Sequence, residues 1–208
     1  MACASIRKTT CGSPCSGITH ESDATPTADA APMSNPSTAN EIAITKTTVL
    51  PGDVETVFRF IVAQDVLPKI LTGYGPLPGV VGTSDVTGRW DVPGSSRTVH
   101  LKDGGTAREQ VTGYHLPESF RYRVWDFSSA VLGPLVNEAR GEWTFKPVEG
   151  GTEVTWTDTF AAKNAFAAVP TSFIGHVLWA GYMQVCLDNS RRILAGGHPG
   201  SLPDLKQP

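Results

Sequence analysis

Residues 97–111, which read Arg97-Thr-Val-His-Leu-Lys-Asp-Gly-Gly-Thr-Ala-Arg-Glu-Gln-Val111, have the alternation of a β-hairpin. A two-residue turn at Asp103-Gly104 would place Val99 opposite Arg108 and divide the apolar residues between both faces. A three-residue loop of Asp103, Gly104 and Gly105 gathers them onto one face. This preferred loop pairs Leu101 with Ala107, Val99 with Glu109 and Arg97 with Val111.

The predicted hairpin carries two charged residues on its apolar face. Arg97 and Glu109 share that face as diagonal neighbours, about 7 Å apart at the backbone, which an arginine side chain can span. Buried charges need partners, so the two residues are expected to form a salt bridge or to contact a shared polar ligand. Any function assigned to the protein must account for both charges.

The composition is ordinary for one folded domain with a tail, since 40% of the 208 residues are hydrophobic and 18% are charged. The formal charge of -3 comes from 17 basic and 20 acidic residues without a basic stripe, which argues against a nucleic-acid partner. No apolar run approaches the roughly 20 residues of a membrane span, and no secretory signal follows Met1. A cytoplasmic protein without an integral membrane segment is therefore expected. No cofactor is predicted, because Gly73 to Gly79 lacks the glycine spacing of a dinucleotide-binding loop.

The ends of the chain differ in composition from its middle. Residues 1–40 are rich in Ser, Thr, Ala and Pro, which predicts a disordered tail, and Met33 is an alternative start just before the first strand-like run. Residues 197–208 are expected to form a flexible C-terminal tail. Cys3, Cys11 and Cys15 match no standard zinc-ligand spacing, so no metal site is predicted. Residues 41–196 are expected to form a single domain.

β-Branched runs and turn residues predict the order of the elements. The first strand covers Glu41 to Leu50, Asp53 caps a short helix, and a second short helix ends at Leu71. Residues 73–79 are predicted to form a connecting loop. Short turns indicate an antiparallel meander of six further strands, at 80–91, 97–101, 106–114, 120–127, 137–146 and 152–160. One long helix from Thr171 to Leu194 ends the domain.

Alternation along the last three strands predicts which side chains point inward. The inward set combines aromatic and apolar residues with one carboxylate and one glycine. Its members are Phe120, Tyr122, Val124, Ala139, Gly141, Trp143, Phe145, Val154, Trp156, Asp158 and Phe160.

This element order, together with the Arg97 to Gly105 motif, Glu109 and Gly151-Thr-Glu-Val-Thr-Trp156, resembles the SRPBCC superfamily of START-like, helix-grip proteins. The most similar group is that of the polyketide cyclase/dehydrase and lipid-transport-like proteins. The resemblance covers residues 41–194. It implies an α+β fold in which a curved, seven-stranded antiparallel sheet wraps around the long C-terminal helix and encloses a cavity for hydrophobic ligands. The superfamily includes lipid carriers, hormone-binding proteins and aromatase/cyclases, so the fold does not select a function.

The residues that would line such a cavity are mostly aromatic, which suits flat or chain-like ligands, and a few polar groups among them would fix the orientation of a ligand. The candidate ligand-binding residues are Arg97, Val99, Glu109, Val111, Tyr122, Val124, Trp143, Trp156, Asp158, His176, Trp179 and Tyr182.

Four of these residues are also candidates for catalysis. Glu109 or Asp158, with a pKa raised by desolvation, would act as a general base while Arg97 stabilises an enolate in an aldol cyclisation or dehydration. Each candidate also has a structural interpretation. Arg97 and Glu109 would be an ion pair, Asp158 a hydrogen-bonded strand residue, and His176 a helix residue at the cavity rim.

Three functions follow from these patterns. Binding or transport of a small hydrophobic or amphipathic ligand, such as a lipid or an aromatic, polyketide-like compound, is preferred because it needs only the pocket. A polyketide cyclase or dehydratase is the alternative. A noncatalytic interaction module is the second alternative, with Phe166, Val169 and Phe173 exposed before the long helix. The oligomeric state does not follow from the sequence.

Overall fold

The first strand of the domain, β1, covers Glu41–Leu50 as predicted. The computed structural model describes residues 40–196 of the chain. The expectations for the two tails, for a start at Met33 and for the three N-terminal cysteines lie outside the described residues.

The described residues contain a seven-stranded antiparallel sheet, which confirms the predicted fold class. The strands that follow β1 are β2 (Gly73–Tyr74), β3 (Leu77–Pro78), β4 (Val80–Ser84), β5 (Ser96–Leu101), β6 (Thr106–His115), β7 (Ser119–Trp125), β8 (Val136–Val148) and β9 (Gly151–Ala162). The order in the sheet is β1-β9-β8-β7-β6-β5-β4, while β2 and β3 form a separate two-stranded ribbon. Strands β4 to β9 are thus a meander, and β1 closes it beside β9.

Alternation places one face of the sheet in the core. Every second residue of β9 is buried, from Thr152 to Ala162. In β8 the buried residues include Gly141 and Trp143, which lie on the same face. The inward residues predicted for these two strands are confirmed.

The predicted register of the hairpin between β5 and β6 is wrong by two residues. The loop closes earlier than expected, because the Leu101 amide donates to the Gly105 carbonyl and Gly104 takes a left-handed conformation with φ 85°. The observed partners include Arg97 with Glu109 and Val99 with Ala107. A shift of two residues keeps each side chain on its predicted face, so the two charged residues are direct neighbours on the buried side.

Two predictions for residues 73–91 are wrong. The strand expected at 80–91 ends at Ser84, because Asp85 has a φ of 53°, which extended structure excludes. The chain then forms a loop that buries Trp90. Residues 73–79, expected to be a plain connection, contain the β2–β3 ribbon. Its glycines Gly73 and Gly75 have φ values of 110° and 55°, which other residues rarely adopt.

Two short helices follow β1, as predicted. Helix α1 (Val54–Ile61) begins after Asp53, whose side chain accepts a hydrogen bond from an amide of the first turn. Helix α2 (Leu67–Ile70) has Pro68 in its first turn, where a proline leaves no hydrogen bond unmade. The two helices lead the chain from the edge strand β1 to the ribbon.

The C-terminal helical segment begins at Ala165, six residues earlier than predicted, because the Asn164 side chain caps it. It consists of α3 (Ala165–Phe173), a π-helical segment (Ile174–Trp179) and α4 (Ala180–Leu194). Pro170 lies inside α3 on the exposed side, where water can satisfy the carbonyl that the proline leaves unpaired. The proline therefore does not mark the start of the helix.

The helical segment packs on the sheet and completes the helix-grip fold. A Cβ atom on Gly175 would lie 2.7 Å from Ile44 Cδ1, so glycine allows the π-helical segment to approach β1 closely. On α4, Met183, Cys186 and Leu187 are buried in the core. None of the helices within residues 40–196 has the length and apolar character to cross a membrane.

Candidate ligand-binding cavity

The sheet, the short helices and the C-terminal helical segment line a partly open cavity of about 140 Å³. Its wall is mainly apolar. Its polar side chains come from β5, β6, β7, β9, α4 and the segment before β8, and they are Arg97, Glu109, Tyr122, Asp158, Tyr182 and Ser129. The cavity therefore has the few polar anchors in an apolar surface that are typical of small-molecule sites.

Arg97 and Glu109 form a buried salt bridge in the wall of this cavity. Arg97 Nε donates to Glu109 Oε2 over 2.7 Å, and the side chains are only 2% and 7% exposed. The two residues lie directly opposite each other on β5 and β6, so the sheet register itself brings the charges together.

The Arg97 guanidinium is fixed by two further contacts. Its Nη1 atom donates to the main-chain carbonyl of Gln64, between α1 and α2, over 2.7 Å. Its Cζ atom lies 3.7 Å from the centroid of the Trp90 ring, which is a close cation–π contact. The arginine thus connects β5, the turn between the short helices and the loop after β4.

Tyr122 on β7 and Asp158 on β9 form a second polar pair. The Tyr122 hydroxyl donates to Asp158 Oδ1 over 2.9 Å, although β8 lies between the two strands. Gly141 is the β8 partner of both residues. A Cβ atom at Gly141 would lie 1.9 Å from Tyr122 Cζ, so the tyrosine ring occupies the space that a side chain would fill.

Two tryptophans complete this network. Trp179 Nε1, at the end of the π-helical segment, donates to Asp158 Oδ2 over 2.8 Å. Trp156 Nε1 donates to the Tyr122 hydroxyl over 3.0 Å. Both Asp158 oxygens therefore accept a hydrogen bond, and the tyrosine hydroxyl both donates and accepts.

Burial affects the pKa values of both Asp158 and Tyr122. Burial raises the pKa of Asp158 to about 6, although the hydrogen bonds from Trp179 and Tyr122 act in the opposite direction. Burial, followed by the charge of Asp158, raises the pKa of Tyr122 well above its usual range. Asp158 can therefore exchange a proton near neutral pH, while Tyr122 stays a neutral donor.

Stacked aromatic rings form much of the remaining wall. Trp143 and Trp156 face each other across β8 and β9 with ring centroids 4.3 Å apart and planes inclined by 14°. Trp179 and Tyr182 stack at 4.9 Å, and Phe160 meets Trp179 edge to face. These rings offer flat apolar surfaces next to the polar groups.

The structure places every predicted ligand-binding residue on the cavity wall except Val111 and His176. Val111 is buried in the core beside the cavity rather than on its surface. His176 is exposed, because it is Gly175 that faces β1 at this point of the π-helical segment. His176 therefore does not line the cavity, and its position near the rim stays a prediction, as do the roles of the residues that do line the cavity.

Several lining residues were not predicted. Trp90 was assigned to a strand. Phe127 was assigned to the end of the strand predicted at 120–127, but β7 already ends at Trp125. Ser129 and Leu132 belong to the irregular segment between β7 and β8, which has no periodicity to interpret. Gly88, which is depleted from strands and precedes Trp90, was an available signal that the strand had already ended.

Phe166, Val169 and Phe173 are 93%, 74% and 63% exposed, as the interaction-module hypothesis expects. They follow one another along α3 at helical spacing. Exposure alone does not identify what contacts them, so that function stays a prediction.

The described part of the chain has no group of three or more His, Cys, Asp or Glu side chains that could coordinate a metal ion. Four of the six polar side chains of the cavity form two hydrogen-bonded pairs, Arg97 with Glu109 and Tyr122 with Asp158. These side chains can form hydrogen bonds, exchange protons and stabilise charge.

A family model described as polyketide cyclase/dehydrase and lipid transport matches residues 41–194. This span runs from the start of β1 to the end of α4, and it confirms the resemblance to the SRPBCC superfamily. None of the curated proteins compared with the chain matches it.

Solved structures share the fold at low sequence identity. The crystal structure of Ara h 8.0201 is 11% identical and aligns over 76% of this chain and 99% of its own, with a TM-score of 0.54. The di-domain ARO/CYC StfQ from the steffimycin biosynthetic pathway is 12% identical over 76% of this chain and 52% of its own, with a TM-score of 0.57. Protein Ms6760 from Mycobacterium smegmatis is 17% identical over 76% of this chain and 93% of its own, with a TM-score of 0.52. These similarities show the helix-grip fold alone.

Proposed function

Because the chain belongs to the polyketide cyclase/dehydrase and lipid transport family, we propose that it binds or carries a small hydrophobic or amphipathic ligand in its interior cavity. The observation that supports this function is the cavity of about 140 Å³, which combines an apolar wall with a few buried polar side chains. Binding requires only this pocket. A lipid segment or an aromatic, polyketide-like compound has the chemistry that the wall accommodates.

The test begins with protein purified without added ligand. Native mass spectrometry followed by solvent extraction should reveal a copurifying small molecule. Toluene, used as a defined probe, should bind saturably in ligand-observed NMR. Ala107→Phe, which fills the cavity from β6, should weaken toluene binding at least about tenfold, or about 1.4 kcal/mol.

The matched control is Arg108→Phe, the next residue of β6, whose side chain is on the exposed face. This variant should bind toluene like the wild type. Saturable binding that survives Ala107→Phe as well would place the ligand elsewhere and reject the cavity as the binding site.

Enzyme activity of the cyclase or dehydratase type is the second candidate, and the proton affinity of Asp158 favours it. A buried carboxyl whose pKa is about 6 can accept a proton near neutral pH. Glu109 is less suited, because the Arg97 guanidinium already neutralises it at 2.7 Å. Arg97 would stabilise a developing enolate from the same wall.

Two conservative variants distinguish a carrier from an enzyme. Asp158→Asn and Glu109→Gln remove a charge while they preserve shape, so a carrier should retain much of its affinity for a short β-polyketone thioester. In an enzyme that uses Asp158 as its base, Asp158→Asn should abolish formation of the cyclised or dehydrated product, measured by mass spectrometry, with binding largely intact. Absence of any product with the wild-type protein would eliminate this candidate for the substrate tested.

A further inference from the structure

The buried salt bridge retains unused hydrogen-bonding capacity. Arg97 donates through Nε to Glu109 and through Nη1 to Gln64, but Nη2 has no hydrogen-bond partner among residues 40–196. Glu109 accepts through Oε2, and its Oε1 atom likewise has no partner in this part of the chain. An arginine can donate five hydrogen bonds and a carboxylate can accept several, so both groups are only partly satisfied.

Neither of the two unpartnered atoms is fully enclosed by protein. Thr171 Oγ1 is the one side-chain nitrogen or oxygen among the described residues that is both fully buried and without a partner. Arg97 Nη2 and Glu109 Oε1 therefore retain accessible surface. Both residues line the cavity, and their side chains are only 2% and 7% exposed in total. The mainly apolar wall thus contains a donor and an acceptor on residues that are directly paired across β5 and β6.

The charges around these atoms disfavour an ionic ligand. Arg97 neutralises Glu109, and the other carboxylate of the cavity, Asp158, already accepts hydrogen bonds from Trp179 and Tyr122. An anion would lie close to two carboxylates with one guanidinium to compensate them. A cation would lose its hydration without gaining an unpaired carboxylate, and desolvation of a charge is costly.

We propose that the cavity selects an uncharged, compact ring compound whose hydroxyl oxygen accepts from Arg97 Nη2 and whose hydroxyl proton is donated to Glu109 Oε1. The size of the ligand follows from the cavity, since a cavity of about 150 Å³ accommodates one benzene molecule. This inference rests on the proposed binding function and specifies its ligand as a neutral hydroxyl compound rather than a carboxylate such as a fatty acid.

The experiment compares four single-ring probes on the wild-type protein at about pH 7.5, where a phenol is neutral. Toluene reports on the apolar wall, phenol adds the hydroxyl, and benzoate and benzylammonium carry opposite charges. Dissociation constants are measured by isothermal titration calorimetry, with toluene competition to show that the probes share one site. Phenol should bind about tenfold more tightly than toluene, and both ions should bind at least about tenfold more weakly than phenol.

The double variant Arg97→Met/Glu109→Leu replaces both partners with apolar groups, which is often tolerated where loss of one partner is not. It should keep toluene binding and reverse the preference, so that toluene binds more tightly than phenol. The matched control is Arg121→Met/Glu142→Leu, which removes a cross-strand pair on the exposed face of β7 and β8. The control should retain the preference for phenol.

Wild-type protein that binds toluene as tightly as phenol, or prefers benzoate or benzylammonium, overturns the inference and leaves cavity binding intact. Failure of all four probes to bind saturably would instead count against the proposed binding function. The wild-type comparison requires no variant, so the inference can be rejected even if the double variant does not fold.

Discussion

Tyr122 and Asp158 are joined by a hydrogen bond of 2.9 Å across an intervening strand. Neighbouring strands are separated by about 4.8 Å, so residues two strands apart do not normally meet. The missing side chain of Gly141 allows the tyrosine ring to lie over β8 and reach the carboxylate. The hydrogen bond between Tyr122 and Asp158 thus depends on Gly141, which has no side chain.

Gly141→Ala should destabilise the protein by about 3 kcal/mol, because the added methyl group overlaps the Tyr122 ring and displaces its hydroxyl from Asp158. The free energy of unfolding, measured by urea denaturation, gives the cost. Gly82→Ala is the control, since a Cβ atom there meets nothing within 4 Å. The cost of Gly141→Ala should fall in a Tyr122→Ala background, and equal costs in both backgrounds would contradict the steric explanation.

Arg97→Ala should cost about 3 to 5 kcal/mol, because it leaves Glu109 charged, buried and unpaired. Arg121→Ala is the matched control. Arg121 pairs with Glu142 on neighbouring strands at the same distance of 2.7 Å, but the side chains are 54% and 42% exposed. The control should cost about 1 kcal/mol or less. Similar costs for the two variants in urea denaturation would show that the Arg97 pair is hydrated in solution.

Asp158 should make the protein less stable as the pH rises. Its pKa is raised from 3.8 to about 6 in the folded state. The contribution of Asp158 to the free energy of unfolding is therefore fully present below pH 3.8 and is lost as the pH rises through 6. Relative to Asp158→Asn, the wild type should lose about 3 kcal/mol between roughly pH 4 and pH 7. Asp53 should show the opposite trend against Asp53→Asn, because the Thr56 hydroxyl lowers its pKa. Parallel pH profiles for wild type and Asp158→Asn would reject the raised pKa.

Trp179→Phe should move the midpoint of the Asp158 titration to higher pH, because it removes the hydrogen bond that most strongly favours the carboxylate. The midpoint can be followed by carbon-13 NMR of the labelled carboxyl group. Trp125→Phe is a suitable control, since Trp125 lies under Arg123 and does not line the cavity. A midpoint that Trp179→Phe leaves unchanged would mean that this hydrogen bond is not formed in solution.

The fold and the faces of its strands could be predicted from the sequence, because burial repeats every two residues. Arg97, Glu109 and Asp158 were placed on the inner face by alternation alone. Alternation could not predict the register between β5 and β6, because a shift of two residues preserves it. The hydrogen bond between Leu101 and Gly105 in the loop selects the observed register.

Contacts across several elements were beyond prediction for a related reason. Tyr122, Gly141 and Asp158 were each predicted to point inward, but the order and alignment of three strands decide that they meet. The contact of Trp90 with Arg97 depends on an irregular loop, whose course has no periodic signal. Local patterns thus identified many of the cavity residues without their hydrogen-bond partners.

The overlap of Tyr122 with the space above Gly141 also constrains the evolution of this protein. Gly141 cannot change while Tyr122 is kept, because any side chain at 141 would overlap the tyrosine ring and requires a much smaller residue at 122. Homologous sequences should therefore show correlated substitution at these two sites, and lineages that have lost the glycine should also have lost the tyrosine.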